Sequence, residues 1–460
     1  MAADTDGLRR WDGHLAVLRE TVALHAARRA TAEASMQARR LLADTLGCAI
    51  AGRHAAEVRR LEDLLGGCEP GSFRLPGGPA LGVQAAAQVL AMAATWDEAC
   101  EGHALAHGRP GVPLVAALLP LGLQRGSTLA EFADAFVLGY EVGARCGAWL
   151  RIRPGMHVDA NWPALGVAAG VARLIGLPAA GIAQAIDIAA CQLATSLYLP
   201  VAQGRTARNT YLGHSATLGL QAAFASAAGI DAPADALAHY AQWHAAAAPQ
   251  ALPAADVALL QDAYLKPFAA VRHVHYGAVA ARMLRAQLDG DTRSIERIVL
   301  QVYQEAITYC GNRAPRTPIQ AQFSLSFGLA AMLRFGDIDP TVYEGPRFDD
   351  AELRRLESLV ALEPDAGRTA RNARGATLRL HRAADTLQQA VDAIPGDAGH
   401  PLDRAALIDK FCRYAARSLD AERAARFCEA LLGGKNTEST GDSHDVELRA
   451  LWRQLDPSHS

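Results

Sequence analysis

Between residues 34 and 262, apolar side chains recur every three or four positions and alanine fills many of the places between them. That is the period of an α-helix, and alanine is the strongest helix former. The pattern predicts helices over residues 38–51, 83–96, 129–146, 163–175, 182–193 and 214–228, punctuated by glycine and proline. Several are apolar nearly all round, as expected of helices buried in a multi-layer α domain rather than of amphipathic surface helices. Strand-like alternation comes only later, at residues 295–302 (Ile-Glu-Arg-Ile-Val-Leu-Gln-Val) and 376–381. Between them lie a helical stretch at 319–335 and a charged helix at 350–362, so this part reads as an α+β unit. Helix returns over residues 401–432, and the chain beyond 435 is polar.

Composition removes several function classes. The 460 residues carry a formal net charge of −3, with 50% apolar and 20% charged side chains. Without a basic excess there is no electrostatic footprint for nucleic acid. The opening Met-Ala-Ala-Asp-Thr-Asp has acids where a secretory signal needs basic and then apolar residues. Apolar runs such as 112–123 are too short to span a bilayer. The expectation is a cytoplasmic protein with no membrane partner. Eight cysteines are scattered singly without a C-x-x-C pair, which suits reduced thiols. Cys100 and Cys310 stand out because polar clusters lie beside them.

The basic residues are unevenly chosen. Only Lys266, Lys410 and Lys435 are lysines among 45 basic residues. An ammonium can exchange a proton when its surroundings shift it, whereas guanidinium stays charged, so a retained lysine is either kept for chemistry or a random survivor of drift towards arginine. Lys435, in a polar stretch, reads as a solvated residue. Lys266 opens a segment that also holds Arg272, His273 and His275.

Four other clusters carry candidate chemistry. The segment Trp96-Asp97-Glu98-Ala99-Cys100-Glu101-Gly102-His103 continues through His107 and Arg109 to Pro110-Gly111. It packs carboxylates, histidines and an arginine into a helix end beside an apolar core. His103 and His107, four apart, would suit a metal on a regular helix, but Gly102 and Gly108 oppose one; a solvated loop is the plain alternative. Pro154-Gly155-Met156-His157-Val158-Asp159 places a histidine between apolar helices, as a catalytic or a capping residue. Arg205 and Arg208, just before a helix, form either an anion cradle or a capping loop with solvated arginines. The last cluster is Tyr309-Cys310-Gly311-Asn312-Arg313. No G-x-G-x-x-G, Walker loop or G-x-S-x-G occurs, which removes support for nucleotide binding and serine hydrolysis.

In order and spacing these segments resemble the MmgE/PrpD family, which includes 2-methylcitrate dehydratases, cis-aconitate decarboxylases and iminodisuccinate epimerases. The resemblance runs from about Asp44 to Phe411. Its landmarks are Asp44-Thr45-Leu46-Gly47, the acidic loop ending Arg109-Pro110-Gly111, Gly139-Tyr140-Glu141, Gly155-Met156-His157, Gly213-His214-Ser215-Ala216, Lys266 with His275, Pro315-Arg316-Thr317-Pro318 and Asp409-Lys410-Phe411. It implies a mainly α protein with an α+β lid. The large helical domain would take residues 1–262, the lid 263–395, a helical return 396–435 and a polar tail 436–460. It further implies a homodimer, no metal or other cofactor, and a small polycarboxylate as partner in an interdomain cleft. The chain also departs from the family. Glu98-Ala99-Cys100-Glu101-Gly102 stands where many members read Asp-x-Asp-Asp-Thr, Arg109 replaces a histidine, Arg208 a lysine, Tyr211 a frequent histidine, and Val271 a cysteine or histidine.

Reactions on polycarboxylates build negative charge on carbon beside a carboxylate. They need cations to hold it and a group that moves a proton near neutral pH. The expected catalytic set is His157, Lys266, Tyr309, Glu98, Glu101 and His103. The expected substrate-binding set is Arg109, Arg208, Arg272, His107 and His275. The leading expectation is a cofactor-independent lyase that dehydrates a hydroxy di- or tricarboxylate. The alternatives are an epimerase or decarboxylase on the same scaffold, or a binding relative without turnover.

Overall fold

The computed structural model describes residues 8–151, 153–245, 251–433 and 446–456. A helical domain is built around α1 (Ala32–Gly52), α2 (Val83–Thr95), α3 (Gly111–Arg125), α4 (Leu129–Trp149), α5 (Pro163–Leu174) and α6 (Tyr211–Ala227). Local signals set the starts. Thr31 Oγ1 accepts from Ala34 N at the head of α1, and Thr128 with Glu131 forms a reciprocal capping box on α4. Helices α3, α4 and α5 are buried over nearly their whole length, which accounts for sequences apolar all round. α5 packs between α4 and α6. Two glycines let it approach: a Cβ on Gly139 would lie 2.7 Å from Gly166 O, and one on Gly166 would lie 2.6 Å from Gly139 O.

The smaller domain holds α7 (Arg272–Gln287), β1 (Ile295–Val302), α8 (Leu325–Phe335), β2 (Val360–Pro364), β3 (Ala376–Arg382) and β4 (Thr386–Val391). Its sheet runs β2-β1-β3-β4. β2 is parallel to β1, with Ile298 opposite Val360; β3 is antiparallel to β1, with Leu300 opposite Leu378, and β4 completes a hairpin. α7 covers β3 and β4 and packs on α8. The chain passes into and out of this domain side by side, because Leu265 N donates to Gly396 O at 2.9 Å. Gly396 has φ +91°, and a Cβ there would sit 1.9 Å from Leu265 O, so no side chain fits. Beyond it α9 (Arg404–Ala415) returns to the helical domain and lies against α1, with Phe411 on Gly47.

Four details differ from the sequence pattern. The stretch 319–335 is two helices, Pro318–Gln322 and α8, because Ser324 Oγ caps Phe327 N and starts a new helix. The charged helix ends at Ser358, and Val360 is already a buried strand residue opposite Ile298. The first 262 residues are not purely helical: Pro70–Phe73 is a short strand, Gly102–His103 pairs antiparallel with Ala263–Tyr264, and Met156–His157 pairs antiparallel with Ser196–Leu197. Two-residue strands are too short to show alternation. Finally, the polar tail contains the helix Leu448–Leu455, whose Leu448, Leu451, Trp452 and Leu455 are buried. Each such burial is worth about 1.5–3 kcal/mol, enough to order one short helix. Lys435 and residues 436–445 and 457–460 of that tail lie outside the described residues.

Candidate active site

The two short ribbons aim the chemistry. One carries Gly102–His103 and, on its partner strand, Ala263–Tyr264, two residues before Lys266; the other carries His157. Between them and the smaller domain opens a cleft of ≈ 390 Å³, lined by Glu98, His103, His107, Arg109, His157, Asp159, Tyr198, Arg208, Tyr264, Lys266, Val271, Arg272, His273, Tyr309 and Arg374 among others. Seven of its lining side chains are arginine or lysine and three are carboxylates.

Glu98 is the hub. Its backbone sits at φ +53°, a left-handed conformation that costs a residue with a side chain about 1–2 kcal/mol. That turn brings the buried carboxylate under three cations. Lys266 Nζ lies 2.6 Å from Oε1, and Arg109 Nη1 and Arg208 Nη2 each lie 2.8 Å from Oε2. Lys266 also donates to Glu98 O at 2.9 Å. Burial alone would raise the carboxyl, but Arg109, Lys266 and Arg208 together hold it well below the usual range. Arg109 is shared, since its Nη2 binds Asp159. Burial likewise works against an ionised Asp159, and Arg109 again overrides it, so this carboxyl is held low. Arg208 is fixed further by Thr95 O at 3.3 Å and Asn209 Oδ1 at 3.0 Å, while its Nε is buried without a partner among the described residues.

His157 borders this cluster as a neutral ring. Burial pushes its imidazole down to about 4, with Arg208 and Arg109 pushing the same way against Asp159. Its Nδ1 accepts from Asp159 N at 3.2 Å, so the neutral ring carries its proton on Nε2 and offers a donor. Tyr198 stacks on it at 6.0 Å and Tyr211 packs edge-on at 5.5 Å. Tyr309 comes from the opposite domain, 49% exposed, its ring against Tyr198 and His273. Arg272 binds Asp397 and lies 4.0 Å over the Tyr264 ring. Arg374 lines the cleft and forms no ion pair among the described residues.

Three expected site residues do other work. Glu101 does not line the cleft: its Oε1 caps α3, accepting from Gly111 N at 2.8 Å and Val112 N at 3.2 Å. His103 does line the cleft, but Leu259 O lies 3.0 Å from Nε2 and Ala106 N donates to Nδ1, so both ring nitrogens are used by backbone. His275 is buried under Phe268 and binds Ala270 O at 2.9 Å, away from the cleft wall. His107 is exposed on the rim, and with His103 turned to Leu259 the pair does not converge; among the described residues no three His, Cys, Asp or Glu side chains come together as a metal would need. Cys100 and Cys310 are buried outside the cleft wall, and burial raises both thiols. Sequence reasoning missed Asp159, Tyr198, His273 and Arg374 as site residues. Asp159 and His273 lay within clusters already singled out; Tyr198 and Arg374 carried no local signal.

Comparison with known families settles the ancestry. Residues 17–254 match the MmgE/PrpD N-terminal domain and residues 268–432 match the MmgE/PrpD C-terminal domain. The chain belongs to the MmgE/PrpD family. No curated protein matches it. This is a family that contains hydro-lyases; the first match lies in the helical domain, and the second runs from the α+β domain on through the returning helix α9. The positions expected to depart from the family pattern are not scattered: Arg109 and Arg208 meet on the Glu98 carboxylate, Tyr211 packs on His157, and Val271 lines the same cleft. Among the described residues no helix is long and apolar enough to cross a membrane.

Proposed function

We propose that this MmgE/PrpD protein is a lyase that removes water from a hydroxy di- or tricarboxylate by taking a proton from the carbon beside a carboxylate. The observation that carries the reading is the cationic excess of a cleft whose Lys266, Arg109 and Arg208 already converge on one buried carboxylate. Such a site binds polyanions and stabilises the enolate-like charge that forms as the proton leaves. Arg374 and Arg272 hold the substrate from the smaller domain. Lys266 moves the proton, with Glu98 as its partner: at 2.6 Å a proton shifts between Nζ and Oε1 without either side chain moving. A substrate carboxylate that draws Arg109 and Arg208 towards itself removes the charges that keep Glu98 ionised, and this favours the shift. The Nε2–H of His157 orients the substrate by hydrogen bonding, and Tyr309 assists the departing hydroxyl from the mouth.

Incubation with citrate-like, malate-like and amino-dicarboxylate acids in deuterated water tests this. Deuterium exchange accompanied by loss of water is expected for one hydroxy acid, which should also stabilise the protein against heat. Exchange with inversion alone would make it an epimerase, release of carbon dioxide a decarboxylase, and stabilisation without any reaction a binding protein; each result refutes dehydration.

A further inference from the structure

The loop that carries Glu98 has a second face. Behind it, between the two domains, lies a pocket of ≈ 340 Å³ that shares no residue with the catalytic cleft. Its polarity is reversed. Asp97, Glu57 and Glu344 line it against a single guanidinium, Arg417, and that charge is spent on Glu344 through bonds of 2.7 and 2.9 Å across the domain boundary. Asp97 is half-buried and has no hydrogen bond or ion pair among the described residues. Gln322, only 1% exposed, supplies an independent sign of a missing ligand. Its Nε2 donates to Trp96 O at 3.0 Å, which fixes the orientation of the amide, and its Oε1 is buried without a partner among the described residues. The groups left unsatisfied are therefore acceptors, in a pocket with an acidic balance and the aromatic side chains of Trp96 and Tyr343 in its wall.

We propose that this interdomain pocket binds a small organic cation, an alkylammonium or alkylguanidinium, whose N–H groups are shared by the Asp97 carboxylate and Gln322 Oε1. Charge, acceptor-only chemistry and aromatic walls all select such a ligand. A metal ion is a poor fit, because no set of three His, Cys, Asp or Glu side chains converges among the described residues. The wall also includes Gly204 and Thr206, on the turn leading to Arg208, so an occupant ties the smaller domain to both loops that shape the catalytic cleft.

Burial, and then Glu344, push the Asp97 carboxyl up to about 7, against Arg417 and with a further push from Asp339. The other titratable groups facing the pocket are His54, lowered by burial and by Arg417, Tyr343, raised by burial and then by Asp97, and Glu57. The pocket gains charge as pH rises through neutrality, so affinity should rise about tenfold between pH 6 and pH 8, following the ionised fraction of Asp97. Calorimetric titration of the full chain with agmatine, which carries both cationic groups, tests this. Saturable binding below about 10 mM is expected at pH 8. It should weaken at least about tenfold in Asp97→Asn, weaken in Gln322→Met, and stay unchanged in Arg374→Met, which alters the catalytic cleft alone. The uncharged 1,5-pentanediol should not bind. Absence of saturable binding, equal affinity in folded Asp97→Asn or Gln322→Met, no pH dependence, or loss of binding in Arg374→Met would each overturn the proposal. Thermal unfolding establishes which variants are folded; should Asp97→Asn fail to fold, Gln322→Met decides.

Discussion

Lys266 and Lys410 reach the same turn of chain and make nearly the same bonds. Lys266 Nζ binds Glu98 O at 2.9 Å and the Glu98 carboxylate; Lys410 Nζ binds Ala99 O at 2.8 Å and the Asp44 carboxylate. Both are 3% exposed. Their surroundings separate them. Glu98 also collects Arg109 and Arg208 at the edge of an open cleft, so its charge is over-compensated. Among the described residues Asp44 bonds to no second cation and its Oδ2 is buried without a partner, and the carboxyl is pushed up by burial against the pull of Lys410. One pair is a poised part of a polyanion site; the other is a rivet between α1 and α9. The lesson is that an ion pair's role follows from the charges and water around it rather than from the pair itself.

The comparison breaks most visibly at the rivet. Lys410→Met leaves Asp44 in the core without a counter-charge and should cost about 3–5 kcal/mol of stability, read as a large fall in unfolding midpoint. Adding Asp44→Asn should recover part of that loss, because the uncompensated charge is gone. Turnover by the fraction that remains folded should be near normal. The opposite signature is expected at the cleft. Lys266→Arg keeps a cation beside Glu98 but cannot exchange a proton, so kcat should fall about 10²–10³-fold, roughly 3–4 kcal/mol of barrier, at an almost unchanged unfolding midpoint. If Lys266→Arg turns over normally, or if Lys410→Met is stable but inactive, the two roles have been assigned the wrong way round.

The fold was more legible than the site, for a physical reason. Long buried helices such as α2 and α4 advertise themselves by apolar residues on every face, and β1 by its β-branched Ile295, Ile298, Val299 and Val302, so these elements could be read from residue types alone. The retained lysines were also informative: Lys266 and Lys410 both turned out to be buried partners of carboxylates. What could not be read was direction. Glu98 and Glu101 stand three apart in one acidic segment, and only the turn at φ +53° decides that the first faces the cleft and the second the head of α3. His103 and His275 are polar residues in the right neighbourhood, yet backbone carbonyls of Leu259 and Ala270 claim them. Arg374 reaches the cleft across more than a hundred residues of sequence from Lys266, in a segment rich in other arginines, and nothing local marks it. The helix Leu448–Leu455 was legible and overlooked, since its buried stripe follows helical spacing inside a polar stretch.

Glu101 gives the finest test of how surroundings divide two similar groups. Burial raises its carboxyl to about 8 although Gly111 N and Val112 N donate to it, and Asp44 adds to the rise. Among the described residues no cation bonds to it, in contrast to Glu98. Its folded-state value therefore lies above the unfolded one, so the folded protein holds an extra proton between about 4.5 and about 8. The stability this provides is fully present below that window and is lost as pH rises through it, with a slope of at most about 1.4 kcal/mol per pH unit. Glu101→Gln keeps an acceptor for both α3 amides and resembles the protonated side chain, but cannot ionise. Urea unfolding of both proteins at a series of pH values isolates the effect, since every other titration cancels in the difference. The variant should match the natural protein near pH 5 and exceed it by about 1 kcal/mol or more near pH 8. Parallel stability curves across that range would mean that the two α3 amides hold Glu101 ionised after all, and the contrast with Glu98 would then reduce to which face of the loop each side chain takes.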